Sequence, residues 1–108
     1  MNAKVYVLQS QPGRNYLPAE DFGEIHVMFP QEDYGHASQF YVDRLHHHFK
    51  NLTEKDFVLL SGDPVLIALA GAVAADYLNG NVKFLKWDNQ QKRYYPIAIR
   101  DVFKSQNP

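Results

Sequence analysis

The stretch Asp56-Phe57-Val58-Leu59-Leu60-Ser61-Gly62-Asp63-Pro64-Val65-Leu66-Ile67 decides the fold. Residues 56–60 are an apolar run too short for a helix and bounded by Ser61-Gly62, which predicts a buried strand inside a sheet. Asp63-Pro64 then sets an N-cap residue ahead of a proline at the first helical position, where its missing N–H costs nothing. A helix follows over residues 64–79 and closes at Asn79-Gly80, where glycine can take the left-handed conformation.

On the amino-terminal side, Tyr41, Val42, Leu45, Phe49 and Leu52 recur at spacings of three and four, which predicts an amphipathic helix over residues 37–52. Lys4–Gln9 and Glu24–Phe29 carry β-branched and aromatic residues and predict two strands, the second stopped by Pro30. Between them, residues 10–23 hold two prolines and two glycines without periodicity, a long connection for so small a domain. A polar loop covers residues 31–36.

On the carboxyl-terminal side, Val82–Asp88 and residues 94–101 predict two more strands, joined through Asn89-Gln90-Gln91-Lys92-Arg93 as a hairpin. Pro96 places the last strand at an edge, and residues 104–108 form a frayed tail. The expectation is a single α/β domain over residues 1–108, with a mixed five-stranded sheet and two main helices in the order β-β-α-β-α-β-β. Its two strand-helix-strand units should cross over right-handedly.

The 108 residues are 45% hydrophobic and 21% charged, enough apolar content to fold without staples and far from the signature of disorder. No cysteine is present, which excludes disulfides, thiolate metal sites and cysteine nucleophiles and fits a reducing compartment. The first residues, Met1-Asn2-Ala3-Lys4, lead into a strand without a basic region and apolar signal core, so cytoplasmic placement is expected. The apolar run of residues 65–75 is far shorter than a membrane span, and no membrane association is expected. A net charge of −1 gives no long-range pull toward nucleic acid, which leaves a local patch as the one route to such a partner.

Ser61-Gly62-Asp63 lies at the carboxyl end of an inner strand and opens a helix, the edge where α/β sheets bind ligands and where helix N–H groups face an anion. Asp63 can satisfy those same N–H groups itself, and the segment lacks the lysine and spaced glycines of a phosphate loop, so a plain helix cap competes. Pro12-Gly13 is a turn pair able to hold Arg14 and Asn15 in fixed directions, with Arg14 suited to a phosphate or carboxylate. Lys86-Trp87-Asp88 and Lys92-Arg93-Tyr94-Tyr95 place aromatics beside cations on one hairpin, suited to stacking a base or meeting a partner, or simply to cross-strand pairing. Alternation sets Lys86 and Asp88 on one face with Phe84, and Leu85 with Trp87 on the other.

His46-His47-His48 does not by itself predict a metal centre, because consecutive helical side chains point about 100° apart. A zinc site there needs ligands from elsewhere, such as His26 or His36. No spacing assembles a catalytic triad, and no motif implies a cofactor or a bound metal. The helix over residues 64–79 carries no charge between Asp63 and Asp76, so it must be covered on more than one side. A second copy packed on Ala68, Gly71, Ala72 and Ala75 would do this, as would burial between the sheet and the first helix.

Taken together, Pro12-Gly13-Arg14-Asn15 with Pro18-Ala19-Glu20, Gly62-Asp63-Pro64, and Leu85-Lys86-Trp87-Asp88 with Arg93-Tyr94-Tyr95-Pro96 resemble a group of short α/β proteins encoded in tailed-bacteriophage genomes. The resemblance touches most of the chain and implies the host cytoplasm as its setting, with no activity, cofactor or catalytic residue attached.

The functional expectation is a small accessory binding protein that engages a host macromolecule or a small anionic ligand. Its binding residues would be Gly13, Arg14, Asn15, Ser61, Gly62, Asp63 and Lys86. One alternative is a small nucleotide- or phosphoester-handling enzyme, with Arg14 on the anion and Asp63 as acid-base or metal-binding group. Another is an assembly protein that forms homo-oligomers through the helix over residues 64–79.

Overall fold

Val5, Tyr6, Val7 and Leu8 are all buried, so β1 (Lys4–Gln9) is covered on both faces and stands inside the sheet. A computed structural model of the chain describes residues 2–29 and 38–103. The polar loop predicted over residues 31–36, His36 and the tail over residues 104–108 lie outside the described residues.

β1 pairs in parallel with β2 (Glu24–Phe29) on one side and with β3 (Phe57–Leu59) on the other. β4 (Val82–Asp88) continues the parallel set beside β3, and β5 (Arg93–Ile99) closes the sheet antiparallel to β4. The order is therefore β2-β1-β3-β4-β5, a single mixed five-stranded sheet, with Pro96 on an edge strand as its lost N–H requires. The helices are α1 (Ser38–Phe49) and α2 (Pro64–Tyr77). The element order β-β-α-β-α-β-β is that expected from sequence, with one short addition, a 3-10 helix over Leu17–Asp21 between β1 and β2.

The two faces of the sheet hold separate cores. Tyr6, Leu8, Val58 and Val82 pack with Leu45 and Phe49 of α1 and Leu66, Ala70 and Ala74 of α2. Val5, Val7, Leu59 and Leu85 point the other way and meet Ala19, Tyr94, Tyr16 and Trp87. Strand alternation produces this split, and topology explains which connection covers which face. The step from β1 to β2 runs toward one edge and the steps through α1 and α2 run toward the other, so crossovers of one hand put the 3-10 helix opposite both α-helices.

Element boundaries move by a few residues from the sequence expectation. Leu52 extends the apolar periodicity of α1 and is buried, but it sits beyond the helix in a turn closed by its N–H on the Phe49 carbonyl at 2.9 Å. α2 ends where the Leu78 N–H bonds Ala74, and Asn79 and Gly80 then adopt φ of 54° and 85°. The small residues of α2 do not form one exposed stripe: Ala68 and Ala72 face solvent, Gly71 is half-buried near Phe84, and Ala75 is buried. Part of the cover that α2 needs comes from α1, to which it is joined by a His46 Nδ1 to Tyr77 hydroxyl contact of 2.9 Å. Among the described residues no helix is long and apolar enough to cross a membrane.

Candidate functional site

The strand order reverses at β1: the chain leaves β1 for β2 on one side and returns to β3 on the other. In sheets of this order, the carboxyl ends of the strands flanking that point frame a crevice that commonly takes a ligand. Here those ends are Gln9 on β1 and Ser61 just after β3, and the protein closes the gap itself. The Ser61 hydroxyl donates to the Gln9 carbonyl oxygen at 2.9 Å, and the Gln9 side-chain Oε1 accepts from the Asp63 N–H at 2.9 Å. Asp63 turns its carboxylate back onto α2, where Oδ1 accepts from the Val65 N–H at 2.8 Å. Gly62, at φ 106°, has no Cβ because Gln9 Cβ and Oε1 occupy that space.

Only Nε2 of the buried Gln9 amide lacks a hydrogen-bond partner among the described residues. The Asp63 N–H on Oε1 fixes which end of the amide is which. Ser61 and Gln9 are 3% and 5% exposed, so this corner is sealed. It works as a clasp between β1, β3 and α2.

The open part of the same edge lies further along, on the face covered by the 3-10 helix. Gln11-Pro12-Gly13-Arg14 forms a turn closed by the Arg14 N–H on the Gln11 carbonyl at 3.3 Å, with Gly13 at φ 74° as a type II turn requires. Two phenols tie the loop down. The Tyr16 hydroxyl donates to the Gln9 carbonyl at 3.2 Å and accepts from the Gln11 N–H at 3.0 Å, while the Tyr94 hydroxyl donates to the Asn15 carbonyl at 3.4 Å. Asn15 adds an Asx turn, its Oδ1 accepting from the Leu17 N–H at 3.0 Å.

Between this loop and the β4–β5 hairpin is a cleft of about 560 Å³, lined by Gly13, Arg14, Asn15, Pro18, Trp87, Asn89 and Tyr94. Trp87 and Tyr94 pair across the hairpin with ring centroids 4.9 Å apart, edge to face. The exposed Arg14 guanidinium has no hydrogen-bond or carboxylate partner among the described residues, and it acts electrostatically on Tyr94. Burial pushes the Tyr94 phenol above its ordinary value of 10.0, with Tyr16 adding to the rise and Arg14 opposing it. Tyr94 is therefore a protonated donor at neutral pH.

The residues singled out from sequence thus fall in three places. Gly13, Arg14 and Asn15 line the cleft; Ser61, Gly62 and Asp63 assemble with Gln9 in the clasp; Lys86 is exposed on the opposite face of β4 from Trp87. Asn89, Pro18 and Gln9 are not among the expected binding residues. For Gln9 the available signal was a polar residue at the end of an otherwise apolar strand. Depressions at the opposite edge are lined by Lys4, Thr53 and Asp56 or by Glu54, Lys83 and Arg100. The Asp56 carboxylate is fully engaged there, accepting from the Lys4 and Thr53 N–H groups at 2.8 Å each.

The fold and its carboxyl-edge cleft define a small α/β domain with both α-helices on one face and an aromatic-walled, arginine-bearing recess on the other. A family model described as Phage Pam3 gp32-like protein matches residues 3–101, and the chain belongs to this family of phage-encoded proteins. No curated protein and no solved structure matches it.

Proposed function

We propose that the protein is a binding module for a small anionic ligand whose charged group is held by Arg14 and whose planar part lies against Trp87. The observation that supports this reading above all is the guanidinium with no partner among the described residues, on the wall of a cleft that also holds the half-buried Trp87 ring, backed by the buried Tyr94. Arginine holds phosphate or carboxylate bidentately, the Trp87 face can stack a planar ring, and the side-chain NH2 groups of Asn15 and Asn89, whose oxygens are engaged by Leu17 and Lys92, add donors. A cleft of about 560 Å³ has the size of a mononucleotide-class ligand site.

A binding role fits this edge better than a catalytic one. Asp63, the residue an acid-base mechanism would use, spends its carboxylate on the α2 N-terminus rather than on the cleft. The reading is tested by thermal denaturation with nucleoside 5′-monophosphates, inorganic phosphate and free nucleosides. A ligand that binds only the folded state raises the melting temperature in proportion to the logarithm of its concentration. A monophosphate should raise it more than either half alone, and Arg14→Ala should remove the difference. No shift across the panel would contradict the reading.

A further inference from the structure

On the opposite face of the sheet from the cleft, β2 and α1 bring together two histidines that lie 22 positions apart in sequence. His26 Nε2 and His48 Nδ1 face each other at 3.2 Å. His26 is exposed and stands in mid-strand; His48 is half-buried in the last turn of α1. Neither is on a loop. The ring of Tyr6 lies edge-on to His26 with centroids 5.3 Å apart, and Phe29 lies 6.4 Å from the His48 ring.

We propose that His26 Nε2 and His48 Nδ1 form a two-histidine site for a divalent late transition-metal ion of the zinc type, with the remaining coordination positions open to water. The geometry carries this. With Zn–N bonds of 2.0–2.1 Å and a tetrahedral angle, two imidazole nitrogens on one ion stand roughly 3.3 Å apart. The observed separation is 3.2 Å, spanned by a hydrogen bond between the rings, so an ion that replaces the shared proton requires the rings to turn but not the two backbone elements to separate.

The chemistry of the pair also suits a metal. One of the two facing nitrogens carries no proton, because a hydrogen bond between two imidazoles needs an acceptor. Imidazole suits zinc, copper and nickel rather than magnesium or calcium. Among the described residues no third histidine, cysteine, aspartate or glutamate completes the shell, so an ion held here keeps exchangeable positions.

The consecutive histidines do not point at one ligand position, although the His47 and His48 rings lie edge to face with centroids 5.4 Å apart. The His46 ring turns to Tyr77, whose hydroxyl is 2.9 Å from Nδ1, and His47 is exposed. The test is calorimetric titration of Zn²⁺ into the tag-free full chain, alongside NMR of the histidine rings. We expect one equivalent to bind, affinity to fall at least about tenfold in His26→Gln and in His48→Gln, and affinity to stay unchanged in His47→Gln. Because His26 is exposed, His26→Gln keeps the fold, checked by circular dichroism, and decides the matter even if His48→Gln does not. Absence of saturable binding at millimolar Zn²⁺, undiminished binding in His26→Gln, or an equal loss in His47→Gln would each overturn the site.

Discussion

The Gln9 side-chain oxygen accepts the Asp63 N–H at 2.9 Å, so the crevice between β1 and β3 is filled by the protein's own amide. Gly62 makes room for it. Gly62→Ala should cost roughly 1–3 kcal/mol, because it combines a strained positive φ with overlap on Gln9. In a Gln9→Gly background both overlapping atoms, Cβ and Oε1, are gone and only the backbone strain remains, so the two losses should sum to more than the double variant's loss. Denaturant unfolding of the four proteins measures this coupling; additive losses would contradict the clasp.

Asp63 is a helix cap, and its substitutions should behave as cap substitutions. Asp63→Ala should lower stability by about 1 kcal/mol, while Asp63→Asn or Asp63→Ser should keep most of it, since each can still accept from the Val65 N–H. Ligand response at the cleft should be unaffected in all three. A large loss of ligand response with unchanged stability would return Asp63 to the site.

Arg14 and Tyr94 should be electrostatically coupled. The Tyr94 phenol is already raised by burial, and Arg14 is the influence that holds it down. Arg14→Ala should therefore move the Tyr94 ionisation still higher, which ultraviolet difference titration can follow, with Tyr94→Phe identifying the signal. An unchanged or lowered ionisation would mean that the guanidinium does not lie over the cleft.

Acid should destabilise the metal-free fold through His48. Burial first, then His26, His47 and Arg44, lowers its pKa from 6.5 to about 4, so the unfolded chain binds more protons between those values. The contribution of His48 to stability is complete above pH 6.5 and is lost as pH falls toward 4. The ring is only half-buried, and after solvent screening the effect is on the order of 1 kcal/mol. Melting curves in the presence of a chelator should show it, and His48→Gln should flatten it; an identical acid slope in the variant would contradict the assignment.

Most of the fold is legible in the sequence because its elements announce themselves locally. Asp63-Pro64 starts α2, Asn79-Gly80 ends it, and Pro96 marks an edge. The 3-10 helix over Leu17–Asp21 left no such mark, since five residues containing Pro18 and little apolar periodicity read as loop. The site is less legible because it is made by distant pairs. Pro12-Gly13 signals that Arg14 is held by a turn, but nothing local says that Asn15 meets Tyr94 from 79 positions away. Gln9 and Ser61, 52 positions apart, and His26 with His48 are likewise joined only by the order of the strands and the packing of α1.

Trp87 is the single tryptophan of the chain and lines the cleft, so its fluorescence reports occupancy without a label. Titration of adenosine 5′-monophosphate, excited at the red edge to avoid absorption by the base, tests the central claim most directly. The account predicts a saturable change in Trp87 emission that weakens about tenfold or more in Arg14→Ala, the loss that corresponds to one charge-assisted contact of roughly 1.5–3 kcal/mol. Emission that does not saturate up to millimolar ligand, or that saturates equally in Arg14→Ala, would contradict it.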